Sequence, residues 1–200
     1  MFDMTMLLLL LLLSSYDYNI RSVHTMEVST TLDLYPDTTV SMVLFSGVTN
    51  GSEVRKKIMD GTIEAAVINA QMICDPFQVL VAVNKAVHLD KLDKKKTKTV
   101  FGEILFNLSP GNNILAAYQK FGVQDAERQD VLVVLLNDLQ GQQLQQVSNI
   151  IQGTRIPLES LRDIRDEQQI IKLFKISEAE RRVGRLEDVV VCRMATKDAG

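Results

Sequence analysis

The chain has 200 residues, of which 46% are apolar and 24% are charged, an ordinary composition for a soluble globular protein. Its net charge of −3 argues against a protein that coats nucleic acid over its whole surface, but it leaves room for a local basic patch. The two cysteines, Cys74 and Cys192, lie outside any metal-ligand spacing, which argues against structural zinc and fits a reducing compartment.

The N-terminal segment is leucine-rich and stands apart from the rest of the chain. Met4–Leu13 includes seven consecutive leucines, whereas a membrane-spanning helix needs about 20 apolar residues. A secretory signal fits this length, but Asp3 precedes the run where a positive charge is expected, and the residues after it form a weak cleavage site. We therefore expect residues 1–25 to be an extension outside the fold and residues 26–200 to form a single domain.

The first part of the expected domain predicts two strands and two short helices. Alternating β-branched residues predict a strand over Glu27–Leu34, and turn residues follow at 35–37. A second, antiparallel strand is predicted over Thr39–Phe45. Helices are predicted over Ser52–Met59, with the serine as N-cap, and over Ile63–Ala70.

A long helix is predicted over Asp75–Leu89. Its first residue is a favourable N-cap, and Pro76 suits the first helical position. The segment is apolar on nearly every face, which indicates burial. Asn84 and His88 are four residues apart and share one face. Two interpretations stay open: a core helix whose polar side chains are hydrogen-bonded, or a recognition face formed by Asn84, Lys85 and His88.

The segment after this helix combines positive charge with a turn. Lys91–Lys98 predicts a solvated, lysine-rich loop, and Thr99–Leu108 predicts a strand. Residues 109–113 contain Ser, Pro, Gly and two Asn, which predict a turn. A helix is then predicted over Ile114–Phe121, and Asp130–Asn137 predicts a central strand that is apolar on both faces.

The remaining sequence predicts short helices. Ser177 and Glu180 match the capping box, which marks the start of a helix. The predicted helices cover Gln142–Ile151, Ser160–Ile164, Glu167–Leu173 and a final segment from Ser177 to about Cys192.

Enzymatic signatures are missing from the sequence. It contains no phosphate-binding GxxxxGK[ST] loop, GxGxxG, HExxH, GxSxG or HRD motif. Its two histidines, His24 and His88, leave little scope for a catalytic triad or a metal site. We therefore expect a binding protein without catalytic residues, cofactor or metal.

The candidate nucleic-acid contacts are cationic and amide side chains. A lysine-rich loop beside exposed amides is able to hold a phosphate backbone or an unstacked nucleotide. Alternatively, the lysines keep an edge strand soluble. The candidate residues are Asn84, Lys85, His88, Lys94, Lys95, Lys96, Lys98, Asn107 and Asn113.

Three segments in order carry a resemblance to a known family. They read Asp-Pro-Phe-Gln-Val-Leu-Val-Ala-Val-Asn-Lys-Ala-Val-His-Leu (75–89), Ile-Leu-Phe-Asn-Leu-Ser-Pro-Gly-Asn-Asn-Ile (104–114) and Cys-Arg-Met-Ala-Thr-Lys-Asp (192–198). The chain resembles the PRPK-binding protein family, a small subunit of the KEOPS (EKC) complex. The resemblance runs from about Met26 to the C-terminus and does not cover residues 1–25.

The resemblance implies a fold, partners and a role. The fold implied is α/β (α+β), a central mixed or antiparallel sheet with helices packed around it, consistent with the elements above. The implied partners are a small atypical kinase, whose N-lobe the subunit binds, and, indirectly, the catalytic subunit that transfers threonylcarbamoyl to adenosine in tRNA. The role implied is that of a subunit that does no chemistry itself, promotes the kinase's ATPase activity and helps to engage tRNA at its single-stranded acceptor end. The location implied is the cytoplasm and nucleus, with no membrane.

The candidate kinase contacts lie near the C-terminus. Three consecutive valines end the last predicted helix and lead into the family-like Cys-Arg-Met segment, so we expect Val190, Arg193 and Met194 to contact the kinase. Burial of these apolar residues inside the domain is the alternative.

A second hypothesis for the whole chain is a secreted or luminal α/β binding domain unrelated to tRNA.

Overall fold

The computed structural model describes residues 26–197, so the leucine-rich extension, His24 and the last three residues lie outside the described part of the chain. An antiparallel sheet of five strands forms its centre, with the order β1-β2-β4-β3 and β5 paired to β2. This confirms the α/β class with an antiparallel sheet. The strands are β1 (Val28–Leu32), β2 (Tyr35–Val48), β3 (Ala66–Asn69), β4 (Gln129–Leu136) and β5 (Thr154–Ile156).

Helices cover both faces of this sheet. Within residues 26–197 they are α1 (Gly51–Met59), α2 (Pro76–Lys91), α3 (Val100–Leu108), α4 (Ile114–Phe121), α5 (Gln142–Ile150), α6 (Leu161–Ile164), α7 (Glu167–Phe174), α8 (Glu178–Val183) and α9 (Leu186–Thr196). The helix α2 packs against both α3 and α9, and this three-helix arrangement carries the candidate site.

The strand β4 occupies the centre of the sheet, as its apolar pattern predicts. Successive side chains of a strand point to opposite faces. Leu132 and Val134 belong to the core on one face, which also contains residues of α2, α3 and α9. Val131, Val133 and Leu135 belong to the core on the other face. Because both faces are covered, every one of these side chains is buried.

The long helix is confirmed, with the caps that the sequence indicates. The Asp75 carboxylate accepts a hydrogen bond of 3.0 Å from the Phe77 amide, and Pro76 occupies the first turn. The helix extends to Lys91, slightly beyond the predicted end. Its burial on nearly all sides places it within the larger of the two cores.

Two predictions of local structure are wrong. The segment predicted as a strand over Thr99–Leu108 is the helix α3, which begins where the Thr99 hydroxyl accepts a hydrogen bond from the Gly102 amide. The segment predicted as a helix over Ile63–Ala70 contains the edge strand β3. Short apolar runs fit either structure, and in both cases tertiary packing decided the outcome.

Three boundaries also differ from the predictions. The chain reverses at residues 33–34, so Tyr35 begins β2 instead of forming a turn. The N-cap of α1 is Asn50, and the Ser52 hydroxyl instead donates to Asp125. The single C-terminal helix is two helices, because the backbone is extended at Gly184 and at the following residue.

Candidate functional site

The lysine loop, defined here as residues 92–99, connects α2 to α3. Because α3 is a helix, the loop protects no edge strand, and that alternative does not apply. Lys94, Lys96 and Lys98 are exposed. Lys95 is less exposed and forms an ion pair with Asp90 at the end of α2. The loop therefore presents three exposed lysines and a fourth, Lys95, that is less exposed.

Two lysines from distant parts of the sequence flank one aromatic ring. The ammonium of Lys96 lies 5.3 Å from the ring centroid of Phe106, and that of Lys197 lies 3.7 Å from it. Lys197 also donates a hydrogen bond of 2.7 Å to the Phe106 carbonyl, where α3 ends. A cation in this position interacts favourably with both the ring and the helix C-terminus. Sequence reasoning missed Lys197, because no local pattern relates it to the loop.

The amide turn, defined here as residues 109–113, contacts the C-terminal end of α9 at Lys197. The Asn112 side chain donates a hydrogen bond of 3.4 Å to the Lys197 carbonyl. Asn113 is exposed, but its side-chain oxygen accepts a hydrogen bond of 3.0 Å from Ala116 and caps α4. Lys197 thus lies between the two segments: it shares the Phe106 ring with Lys96 of the lysine loop, and its carbonyl accepts the hydrogen bond from Asn112 of the amide turn. Together they form one polar surface.

Asn84 and Asn107 lie in the interior, against the expectation that they are exposed. Their exposed fractions are 1% and 2%. The Asn84 amide donates a hydrogen bond of 3.2 Å to the Leu80 carbonyl in its own helix. Its oxygen, and both polar atoms of Asn107, have no hydrogen-bond partner among the described residues. The packing of α2 on α3 therefore removes both amides from any surface contact.

His88 joins α2 to the sheet. Its Nδ1 lies 2.6 Å from the Tyr35 hydroxyl, and both side chains are partly buried. One turn later, the Lys91 ammonium lies 4.6 Å from the Tyr35 ring centroid and 2.8 Å from Asp37 Oδ2. The hydrogen bond from Lys91 lowers the pKa of the Asp37 carboxyl. These contacts stabilise the packing of α2 on β2, and the nearby Lys85 is also partly buried.

The C-terminal candidates divide into buried and accessible residues. Val190 and Met194, with exposed fractions of 0% and 2%, belong to the core, so their expected exposure is not found. They are four residues apart and form the inward face of α9. Arg193 is partly exposed, and its guanidinium donates a hydrogen bond of 2.7 Å to Glu180 of α8.

An apolar groove lies between α8 and α9 beside this ion pair. We call it the C-terminal groove; its volume is about 430 Å³, and it is lined by Ala179, Glu180, Val183, Gly184 and Val189. Val183 is 91% exposed, an unusual position for an apolar side chain next to other apolar groups. The sequence pattern did not reveal it, because the break at Gly184 creates the groove.

Neither a group of metal-ligating side chains nor a membrane-spanning helix is found in the part of the chain that the structure describes. No group of three or more His, Cys, Asp and Glu side chains within residues 26–197 is arranged to hold a metal ion. None of the helices in the same range is long and apolar enough to cross a bilayer.

Comparisons with known proteins identify the family. The model of the family described as "Kinase binding protein CGI-121" matches residues 45–198. The EKC/KEOPS complex subunit TPRKB of Danio rerio is 40% identical over 173 residues, which cover 86% of this chain and 99% of the relative. The subunit CGI121 of Candida glabrata is 29% identical over 72% of this chain and 82% of its own length. The subunit cgi121 of Aspergillus fumigatus is 31% identical over 68% of this chain and 76% of its own length. The chain therefore belongs to the CGI-121 family of kinase binding proteins.

Proposed function

We propose that the chain is a non-catalytic subunit of the EKC/KEOPS complex and acts in the threonylcarbamoyladenosine modification of tRNA. The observation that carries this proposal is the 40% identity to an EKC/KEOPS subunit over 99% of that relative's length. The family model, which matches residues 45–198, spans all three helices of the candidate site. The subunit works in the cytoplasm and nucleus, where it binds the atypical kinase subunit and helps to engage tRNA.

The C-terminal groove is the proposed kinase-docking surface. Exposed Val183 and the half-buried Val189 offer apolar area, and Arg193 adds a cation at the groove's edge. Interfaces combine an apolar centre with arginine more often than the remaining surface does. Val190 and Met194 contribute from the core below, where they hold α9 in place against α2.

The proposed tRNA surface consists of the lysine loop, the amide turn and Lys197. Lys94, Lys96 and Lys98 are exposed to solvent, and in this proposal they neutralise phosphates. Exposed Asn113 and neighbouring amides supply hydrogen-bonding groups for a single-stranded end. Asn84, Lys85, His88 and Asn107 lie behind this surface, and Asn84 and Asn107 support it through the packing of α2 on α3.

Co-purification tests the proposal. The full chain, tagged and expressed in its own cells, is expected to capture the atypical kinase subunit in a 1:1 ratio, together with the threonylcarbamoyl transferase subunit. The variant Val183→Asp should capture less of the kinase subunit, and because this side chain is 91% exposed, its replacement leaves the core intact. Capture of neither subunit by a chain with a normal thermal melt would contradict the proposal.

A further inference from the structure

Glu103 is a fully buried carboxylate at the base of the lysine loop, with an exposed fraction of 0%. Its Oε2 accepts hydrogen bonds of 3.0 Å from the Lys96 amide, 3.0 Å from the Thr97 amide and 2.8 Å from the Thr97 hydroxyl. A buried carboxylate is costly unless donors compensate for the lost water, and here they compensate Oε2, whereas Oε1 has no hydrogen-bond partner among the described residues. Its position in the first turn of α3 adds the favourable field of the helix N-terminus.

A tyrosine from α4, Tyr118, packs beside the same part of the loop. The Tyr118 hydroxyl of α4 lies beside Gly102, near the Thr97 hydroxyl, and burial raises the pKa of Tyr118. Gly102 leaves room for this hydroxyl, since a Cβ at that position would lie 2.4 Å from it. Residues 96–97 are therefore fixed by the Glu103 carboxylate of α3, which does not belong to the loop, and the Tyr118 side chain of α4 packs beside them.

We propose that Glu103 is a positioning residue that holds the lysine loop in the conformation that binds phosphates. This inference rests on the proposed tRNA role of the loop. Its hydrogen bonds fix the backbone at Lys96 and Thr97, in the middle of the loop, and so limit the positions from which the exposed lysine side chains extend. A loop that is ordered before binding loses less conformational entropy when it binds. Glu103 itself touches no ligand, because it has no exposed surface.

The direction of the change in phosphate binding distinguishes a positioning role for Glu103 from a simple effect of its charge. Removing a negative charge beside a lysine loop strengthens phosphate binding if charge alone matters. Loss of the hydrogen bonds to Lys96 and Thr97 weakens binding if position matters. Glu103→Leu removes all acceptors and suits a buried site. Glu103→Gln keeps one acceptor oxygen, and Thr97→Val keeps every charge while it removes one of the three hydrogen bonds.

Two measurements on the full chain and the assembled complex test the proposal. Hydrogen exchange of the Lys96 and Thr97 amides is expected to accelerate by at least about tenfold in Glu103→Leu and by less in Thr97→Val. The tRNA affinity of the complex is expected to fall about three- to tenfold in Glu103→Leu, with the kinase still bound. Glu103→Gln should lie between this variant and the natural protein, and it provides the comparison if the leucine variant does not fold.

Four results would overturn the proposal or its basis. Unchanged exchange at both amides in a folded Glu103 variant would show that the carboxylate does not fix the loop. Faster exchange with equal or tighter tRNA binding would show that the fixed conformation does not matter. Changing Lys94, Lys96 and Lys98 to Gln tests the basis itself: if this variant binds tRNA normally, the proposed tRNA role fails. If it binds weakly while the Glu103 variants bind normally, only the positioning role fails.

Discussion

The Arg193 guanidinium donates a hydrogen bond of 2.7 Å to Glu180, and this pair joins α9 to α8 beside the C-terminal groove. The same carboxylate accepts a hydrogen bond of 2.8 Å from the Ser177 amide and completes the capping box that begins α8. One glutamate therefore fixes both the start of a helix and the approach of the next helix. Hydrogen bonds from Ser177, and then from Arg193, lower the pKa of Glu180 to about 2.

This lowered pKa predicts how acid affects the domain. A carboxyl whose pKa is lower in the folded state stabilises the fold above its unfolded value of 4.5, and that contribution is lost as the pH falls toward about 2. Glu180→Gln should therefore lower the melting temperature at neutral pH, and the difference from the natural protein should shrink between these two values. Thermal melts of both proteins at pH values between about 2 and 4.5, and at neutral pH, measure this difference in melting temperature. A difference that stays constant with pH would contradict the assignment.

Burial of Met194 predicts a stability effect. Met194→Ala should destabilise the domain by about 2–5 kcal/mol, because it leaves a cavity between α9 and α2. The exposed neighbour Cys192 provides the control, since Cys192→Ala should change the stability by less than about 0.5 kcal/mol. Denaturant unfolding compares the two variants. Equal stability of both would mean that α9 is not packed as described.

The isolated chain is expected to hydrolyse no ATP above the rate of buffer alone. Its sequence contains no phosphate-binding loop and no kinase catalytic motif. A steady-state assay on protein freed of contaminating ATPases measures this. Hydrolysis that persists through a further purification step and scales with the amount of chain would refute a purely non-catalytic role.

The lysine loop predicts a salt-dependent contribution to tRNA binding. Changing Lys94, Lys96 and Lys98 to Gln should reduce the affinity of the assembled complex and lower its salt slope by about one for each lysine that contacts a phosphate. Lys95→Gln is the matched control, because Lys95 is already paired with Asp90. Titration of tRNA at several salt concentrations separates the variants. Equal slopes for the triple variant and the control would remove the loop from the interface.

Local signals in the sequence predicted the elements that depend on few neighbours. The Asp-Pro start of α2, the two-sided apolar pattern of β4 and the capping box at Ser177 are all confirmed. The strand predicted over residues 99–108 is wrong, because an apolar run with an N-cap at Thr99 fits a helix equally well. Burial of Asn84 and Asn107 depends on how α2 packs against α3, and the contact of Lys197 with Phe106 depends on the whole fold. No local pattern encodes these long-range contacts.

The affinity of the purified chain for the atypical kinase subunit tests the central claim most directly. Calorimetric titration should give saturable 1:1 binding that Val183→Asp or Arg193→Ala weakens by at least about tenfold. Cys192→Ala is the control, since Cys192 is exposed on the same helix as Arg193 but does not line the groove. Binding that Val183→Asp and Arg193→Ala both leave unchanged would move the kinase site away from the C-terminal groove. The absence of binding by the folded natural chain would contradict the account as a whole.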